Sequence, residues 1–188
     1  LNQQAPDLPP GTLLITAADA AFGEALDDWL ASLADQGIGP HRVGVLDLGL
    51  DQTRRARLAA AGATLVRPGW DLPFRDRANA PTWFKAMVAR PFLPEHFPGF
   101  DRYLWIDCDA WVLDGAIVCD VLAAAEAADV AVAVDDFSAG VRGADGSVMA
   151  EGVVRAVVAE TYRDCFGRAD GRALAMRDVI NVGVLAAR

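Results

Sequence analysis

Two carboxylates one residue apart, Asp107 and Asp109, close the short apolar run Tyr103-Leu104-Trp105-Ile106. The run is too brief for a helix and rich in β-formers, so it reads as a strand. Side chains two apart on a strand face the same side. If the strand geometry continued, both carboxylates would converge on one point. Hard oxygen donors at one point suit Mg²⁺ or Mn²⁺, ions that usually also hold substrate phosphates. Turn residues or a helix cap would give the same pair, so the surrounding elements must decide between the two readings.

At 188 residues the chain is long enough for one domain with a substantial core. Hydrophobic residues make up 53%, which excludes disorder and fits a sheet covered on both faces. The net charge of −9 argues against nucleic acid as a partner, because the phosphate backbone calls for clustered Lys and Arg. A polyanionic ligand would need a metal ion or a few well-placed basic side chains. Cys108, Cys119 and Cys165 form no Cys-x-x-Cys pair, and His41 and His96 add no ligand pattern. Reduced cytosolic thiols are therefore expected rather than a disulfide framework or a zinc site. No run reaches the ~18 apolar residues of a membrane-spanning helix. The expected location is cytoplasmic, with attachment to the membrane surface left open.

The elements that must position the carboxylates follow a βαβαβ rhythm. Residues 1–10, with three prolines, read as an arm or linker, and 11–188 as the domain. Leu13–Thr16 is a buried-type strand. Asp19 is a candidate cap for a helix whose apolar positions Phe22, Leu26, Trp29, Leu30 and Leu33 have helical spacing, ended by Gly37. A strand over Arg42–Leu48, a helix over Asp51–Ala61 ended by Gly62, and a strand over Ala63–Val66 come next. This order predicts a parallel, doubly wound sheet. Pro68–Ala80 reads as a loop carrying Arg75 and Arg77. Pro81 opens a helix with an apolar stripe of Trp83, Phe84, Met87 and Val88, and Pro91 ends it. Lys85 points ~130° from the centre of that stripe, free for solvent or a ligand. Beyond Asp109 a helix is expected over about 116–128, a strand over Val130–Val134, a loop over 135–150, and a helix over Glu151–Phe166. That last helix carries Val154, Val157, Val158, Thr161, Tyr162 and Cys165 on one side. The chain closes with a strand, Val179–Leu185, holding Asn181 and Gly183. A buried Asn needs hydrogen-bond partners, and a strand Gly often marks close approach of a ligand or another backbone.

There is no Gly-x-x-x-x-Gly-Lys-Ser/Thr loop, no Gly-x-Gly-x-x-Gly after the first strand, and no Gly-x-Ser-x-Gly elbow. What the chain does present resembles the GT-A glycosyltransferases, specifically the family-8-like group of retaining nucleotide-sugar transferases. The resemblance runs from about Leu13 to Leu185. It is strongest from Thr82-Trp83-Phe84-Lys85 through Tyr103-Leu104-Trp105-Ile106-Asp107-Cys108-Asp109-Ala110-Trp111-Val112. Leu14-Ile15-Thr16-Ala17-Ala18-Asp19 looks like the nucleotide-binding first strand, and Ile180-Asn181-Val182-Gly183-Val184 like the Asn-x-Gly segment near the donor sugar.

The resemblance implies a Rossmann-like GT-A fold, an α/β domain with a mainly parallel sheet flanked by helices. It implies a metal-dependent hexosyltransferase that uses Mn²⁺ or Mg²⁺ and a nucleotide-sugar donor, a UDP-hexose first. The acceptor would be a glycan, lipid or protein. By the same resemblance Asp109 is the main metal ligand, and Asp107 shares metal and ribose contacts. Thr16, Ala17, Ala18 and Asp19 border base and ribose, Lys85 lies near the donor, and Asn181 acts at the sugar or the acceptor face. Val182 stands where the family usually has Ser or Ala. The family's later His-x-x-Gly-x-x-Lys segment would fall beyond Arg188, so the domain is expected to lack its C-terminal part. Two rival classes share features with this chain. One is a non-catalytic nucleotide-sugar-binding domain. The other is a haloacid-dehalogenase-type phosphatase, disfavoured because Trp111 stands where that motif has Thr or Val.

Overall fold

Apolar side chains on both faces of a strand demand cover on both sides. The first strand, β1 (Thr12–Ala18), meets that condition: Leu14 and Ala18 join one core, Leu13 and Ile15 the other. The computed structural model describes residues 6–74, 77–134, 141–142, 147–166, 168–169, 173 and 180–188. Arg75, Val179 and most of the stretch expected as a loop over 135–150 lie outside these.

The first half follows the expected rhythm. Helix α1 (Gly23–Asp35) buries Leu26, Trp29 and Leu33, and ends where Gly37 takes a positive φ of 75°. Strand β2 (Val43–Asp47) leads to helix α2 (Gln52–Ala60), which Asp51 caps by accepting from the Arg54 N–H at 2.8 Å. Strand β3 (Thr64–Val66) follows. β2 and β4 (Arg102–Ile106) pair with β1 in parallel, one on each side, and β3 pairs with β2 in parallel. The last strand, β8 (Ile180–Ala187), runs antiparallel to β4, with Ile106 opposite Val184. With β5 (Val130–Val134) the six-stranded sheet has the order β3-β2-β1-β4-β8-β5. The mainly parallel sheet flanked by helices is thus as expected.

Helix α1, Leu58 of α2, and helix α5 (Gly115–Ala128) with Val118, Leu122 and Ala125 build the core on one face. Helices α3 (Phe84–Ala89) and α4 (Leu93–His96) build the other, with Ala86, Ala89, Leu93 and Phe97 against Leu13, Ile15, Leu46 and Trp105. The buried face of α3 is not the expected apolar stripe: Ala86 and Ala89 pack inward, while Trp83 and Met87 are exposed by 54% and 42%. Small residues face the sheet because α3 is short and lies against the bulk of Trp105 and Phe97.

By packing, the chain divides into two compact units, Leu1–Val132 with Gly183–Arg188, and Ala133–Val182. The second unit holds a hairpin, β6 (Val141–Arg142) with β7 (Val148–Met149), and helix α6 (Glu151–Phe166). Val154 of α6 is buried, whereas Val157 is exposed, so its expected apolar side is only partly covered. Among the described residues no helix is long and apolar enough to cross a membrane.

Candidate active site

The chain winds outward from β1 through β2 to β3 and then returns to the other side of β1 as β4. In such a sheet the carboxyl ends of the two strands at the reversal border a crevice, the usual place for a ligand. Here the crevice is a cleft of about 350 Å³, lined by Ala17, Ala18 and Asp19 after β1 and by Asp107, Cys108 and Asp109 after β4. Phe22, Leu48, Trp83, Ala86, Met87, Arg90 and Trp105 complete its wall.

Strand geometry does not persist through the Asp-x-Asp pair. β4 ends at Ile106, and the chain turns, with the Ala110 N–H donating to the Asp107 carbonyl at 3.0 Å. Both carboxylates still border one cleft, brought there by the turn rather than by strand alternation. Cys108 between them is buried, and its thiol is pushed up to about 11, first by burial and then by the fields of Asp109, Asp107 and Asp19. Three carboxylates thus act on one small region.

Each carboxylate has a different setting. Asp19 Oδ1 accepts from the N–H groups of Ala21 and Phe22 at 2.9 and 3.1 Å, shaping the turn into α1 and leaving Oδ2 outside those bonds. Asp107 Oδ1 accepts from Arg90 Nη2 and from Trp105 Nε1, both at 2.7 Å. Its backbone N–H donates to the Gly183 carbonyl at 2.8 Å, extending the β4–β8 ladder by one step. Asp109 is exposed and accepts no hydrogen bond among the described residues.

Arg90 is the residue that sequence reasoning missed. It is only 8% exposed, at the junction of α3 with a 3₁₀ turn (Arg90–Phe92), and its guanidinium carbon lies 4.7 Å from the centre of the Trp105 ring. Its Nε and Nη1 are buried and have no hydrogen-bond partner among the described residues. Burial pushes the guanidinium below its usual value, and Asp107 acts against that. The signal available in the sequence was a basic residue directly before the helix-ending Pro91, one turn past Lys85.

Two of the expected site residues do not line the cleft. Thr16 is fully buried, and by strand alternation its side chain shares the face of Leu14 and Ala18, so it supports the cleft floor without lining it. Lys85 turns away from the cleft: Nζ donates to the Pro68 carbonyl at 3.3 Å and sits 5.6 Å from the Trp70 ring centre. It fastens the 68–74 loop, where Trp70, Phe74, Phe84 and Trp83 stack edge to face in sequence. Asn181 lies in β8, and its side chain lies outside the described residues.

The donor set fits a divalent cation in part. Asp109 and Asp107 Oδ2 offer hard oxygen to one cleft. No group of three or more His, Cys, Asp or Glu side chains that could hold a metal occurs among the described residues.

Neither a protein-family model nor a curated protein matches the chain. Solved structures do. The galactosyltransferase LgtC, in complex with donor and acceptor sugar analogues, is similar over 93% of this chain and 56% of its own, with a TM-score of 0.54 and 22% identity. An active-site mutant of LgtC gives 0.53 and 21% over the same shares. The bifunctional glycosyltransferase WbbM, without ligand, is similar over 97% of this chain and 32% of its own, with a TM-score of 0.53 and 17% identity. The fold is the GT-A glycosyltransferase fold. The chain spans about half the length of LgtC and about a third of WbbM.

Proposed function

We propose that this chain is the nucleotide-sugar-binding part of a metal-dependent glycosyltransferase that moves a hexose from a UDP-hexose to a glycan, lipid or protein acceptor. The observation that carries the reading is the meeting of Asp107 and Asp109 with Ala17, Ala18 and Asp19 in one cleft at the reversal of a GT-A sheet. LgtC, of the same fold, is described in complex with donor and acceptor sugar analogues, which supports a sugar-transfer reading for this cleft.

In this reading Asp109, exposed and without a hydrogen-bond partner among the described residues, holds Mn²⁺ or Mg²⁺ together with Oδ2 of Asp107. The bound ion supplies charge that offsets what builds up on the departing diphosphate. Trp105 and Arg90 hold Asp107 in one orientation through Oδ1. Asp19, with Oδ1 committed to its turn, keeps Oδ2 for a ribose hydroxyl. Ala17 and Ala18 let the nucleoside approach the backbone at the end of β1, and Phe22 and Trp83 present aromatic faces to a base or a sugar. Asn181 is assigned to the sugar or acceptor side, and transfer with retention of configuration goes with that assignment. A cytoplasmic location accords with the unpaired Cys108 and Cys119.

Calorimetry of UDP-glucose and UDP-galactose binding, with Mn²⁺ and with EDTA, tests the proposal. Binding in Mn²⁺ and its loss in EDTA are expected. Equal affinity in the two conditions would remove the two-carboxylate site from the argument. Metal-dependent binding without hydrolysis or transfer of the sugar by the full-length protein would favour a non-catalytic binding domain.

A further inference from the structure

A second concavity lies on the wall of the first unit, and it shares no lining residue with the cleft. Its volume is about 370 Å³. One side is a single face of α1, where Asp28, Ser32 and Asp35 follow helical spacing, with Gln36 just past the helix end. The other side is the segment Trp111–Leu113, and α1 holds that segment still. The Val112 N–H donates to Ser32 Oγ at 3.1 Å, and the Gly115 N–H donates to Gln36 Oε1 at 2.9 Å. Gln36 Nε2 in turn donates to the Leu113 carbonyl at 3.4 Å. The Val112 side chain is buried beneath, yet Trp111 is 63% exposed and Leu113 78%. An indole is thus held out to solvent on a fixed backbone, and neither core includes it.

What the walls offer defines the ligand. Trp111 gives a flat apolar face. Asp28 and Asp35 are exposed, and among the described residues they accept no hydrogen bond and pair with no cation. Their oxygens are acceptors in need of donors. Two carboxylates in a chain of net charge −9 repel a phosphate, a sulfate or a uronic acid. A neutral sugar ring matches both walls, with C–H groups on one face for the indole and hydroxyls along its edge for the carboxylates. A basic peptide matches the charge alone. An extended peptide draws its affinity from free main-chain groups, whereas the N–H groups of Val112 and Gly115 and the Leu113 carbonyl are already engaged. The geometry points to an accessory binding site for a neutral saccharide, with Trp111 stacking on the ring and Asp28 and Asp35 accepting from its hydroxyls. Trp111 follows Asp109 by two residues, so their Cα atoms lie within about 7 Å of each other. A glycan held here keeps its chain next to the cleft and raises its local concentration there. That consequence rests on the sugar-transfer reading above; the saccharide site itself does not.

The test is a set of saturation-transfer NMR titrations with lactose, maltose and N-acetylglucosamine, run in EDTA, with a trilysine peptide as the alternative probe. At least one of the sugars should bind the parent, and Trp111→Ala should weaken that binding on the order of tenfold. Trp111→Phe keeps a flat face and should stay within about threefold of the parent. The double variant Asp28→Ala with Asp35→Ala removes the acceptors and should also weaken binding by about tenfold. Sugar binding unmoved in Trp111→Ala overturns the inference, as does binding of none of the three sugars, or of the peptide in their place. If Trp111→Ala fails to fold by circular dichroism, the double variant decides: a tenfold loss sustains the inference and parent affinity overturns it. Saturating UDP with Mn²⁺ should leave the sugar affinity unchanged. Displacement of the sugar by UDP would put it in the cleft and overturn the inference. A parent that binds sugar but no UDP with Mn²⁺ sinks the donor-binding reading and leaves this site standing.

Discussion

The indole N–H of Trp105 donates to Oδ1 of Asp107 at 2.7 Å, joining a residue of the sheet core to the first carboxylate of the cleft. Trp105 is almost fully buried among Leu13, Ile15, Leu46 and Phe97, so it carries the rigidity of the core to the site. Trp105→Phe keeps an aromatic ring under Arg90 but removes the donor and leaves a small void. A stability loss of about 1–3 kcal/mol is expected, read by urea unfolding. UDP binding with Mn²⁺ should weaken as well, because Asp107 is then held by Arg90 alone.

Gly44 in β2 offers a test of how that core is packed. A Cβ at this position would lie 2.8 Å from Phe97 Cε1 and 2.9 Å from Leu13 Cδ2, against rings and branches with no room to yield. Gly44→Ala should therefore cost about 1–3 kcal/mol, despite the better strand propensity of a side chain. The midpoint of chemical denaturation reads this directly, and an unchanged midpoint would mean that Phe97 is loosely seated.

The order of strands and helices through α3 was legible because each apolar run there is bounded by a Gly, Pro or Asp that stops it, whereas α4, past the expected stop at Pro91, was not foreseen. The Asp-x-Asp pair was legible as a site, but for a reason that needed correction: a turn at 107–110, not continued strand, brings both carboxylates to the cleft. Helical spacing found the aromatic stripe of α3 and assigned it inward. In fact Ala86 and Ala89 face the sheet, since bulk on that face already comes from Trp105 and Phe97 across the interface. The same reading singled out Lys85 and passed over Arg90, because periodicity within one helix cannot see which basic side chain meets Asp107 beyond β4. Thr16 was read as a cleft residue from its place in the motif, whereas alternation along β1 puts it in the core.

Asp47 closes β2 beside the cleft residue Leu48 and is nearly buried. Burial works against its charged form. The N–H groups of Leu50 and Gly49, with Arg55 and Arg67, outweigh that and hold the carboxyl below its ordinary value of 3.8. A carboxyl whose folded pKa is depressed stabilises the fold above its unfolded pKa and loses that contribution as pH falls through the folded value. The parent should thus lose stability as pH drops below about 3.8. Asp47→Asn should be less stable near neutrality by about 1–2 kcal/mol and should show a flatter acid limb. Thermal melts from pH 7 down to pH 3 compare the two. An Asn variant with the parent's acid limb would assign that limb to other carboxylates.

Asp109 is the residue on which the proposed function turns. It is exposed and accepts no hydrogen bond among the described residues, so its removal takes little from the fold. Its field, with those of Asp107 and Asp19, already reaches the Cys108 thiol, which places three like charges close together, with Arg90 paired to Asp107. Asp109→Asn keeps the shape and removes one of those charges. Without metal, the variant should melt at or slightly above the parent temperature. Mn²⁺ with UDP should raise the parent's melting temperature by mass action and leave the variant's unmoved. Any sugar-transfer rate should fall by orders of magnitude, since each ~1.4 kcal/mol of lost transition-state stabilisation is tenfold. A carboxylate that merely shapes the turn would behave in the opposite way, with the variant losing stability in every condition and keeping its full response to metal and nucleotide. Melts of both proteins, each with and without Mn²⁺ and UDP, separate the two patterns, and a retained shift in the variant would move the metal site away from Asp109.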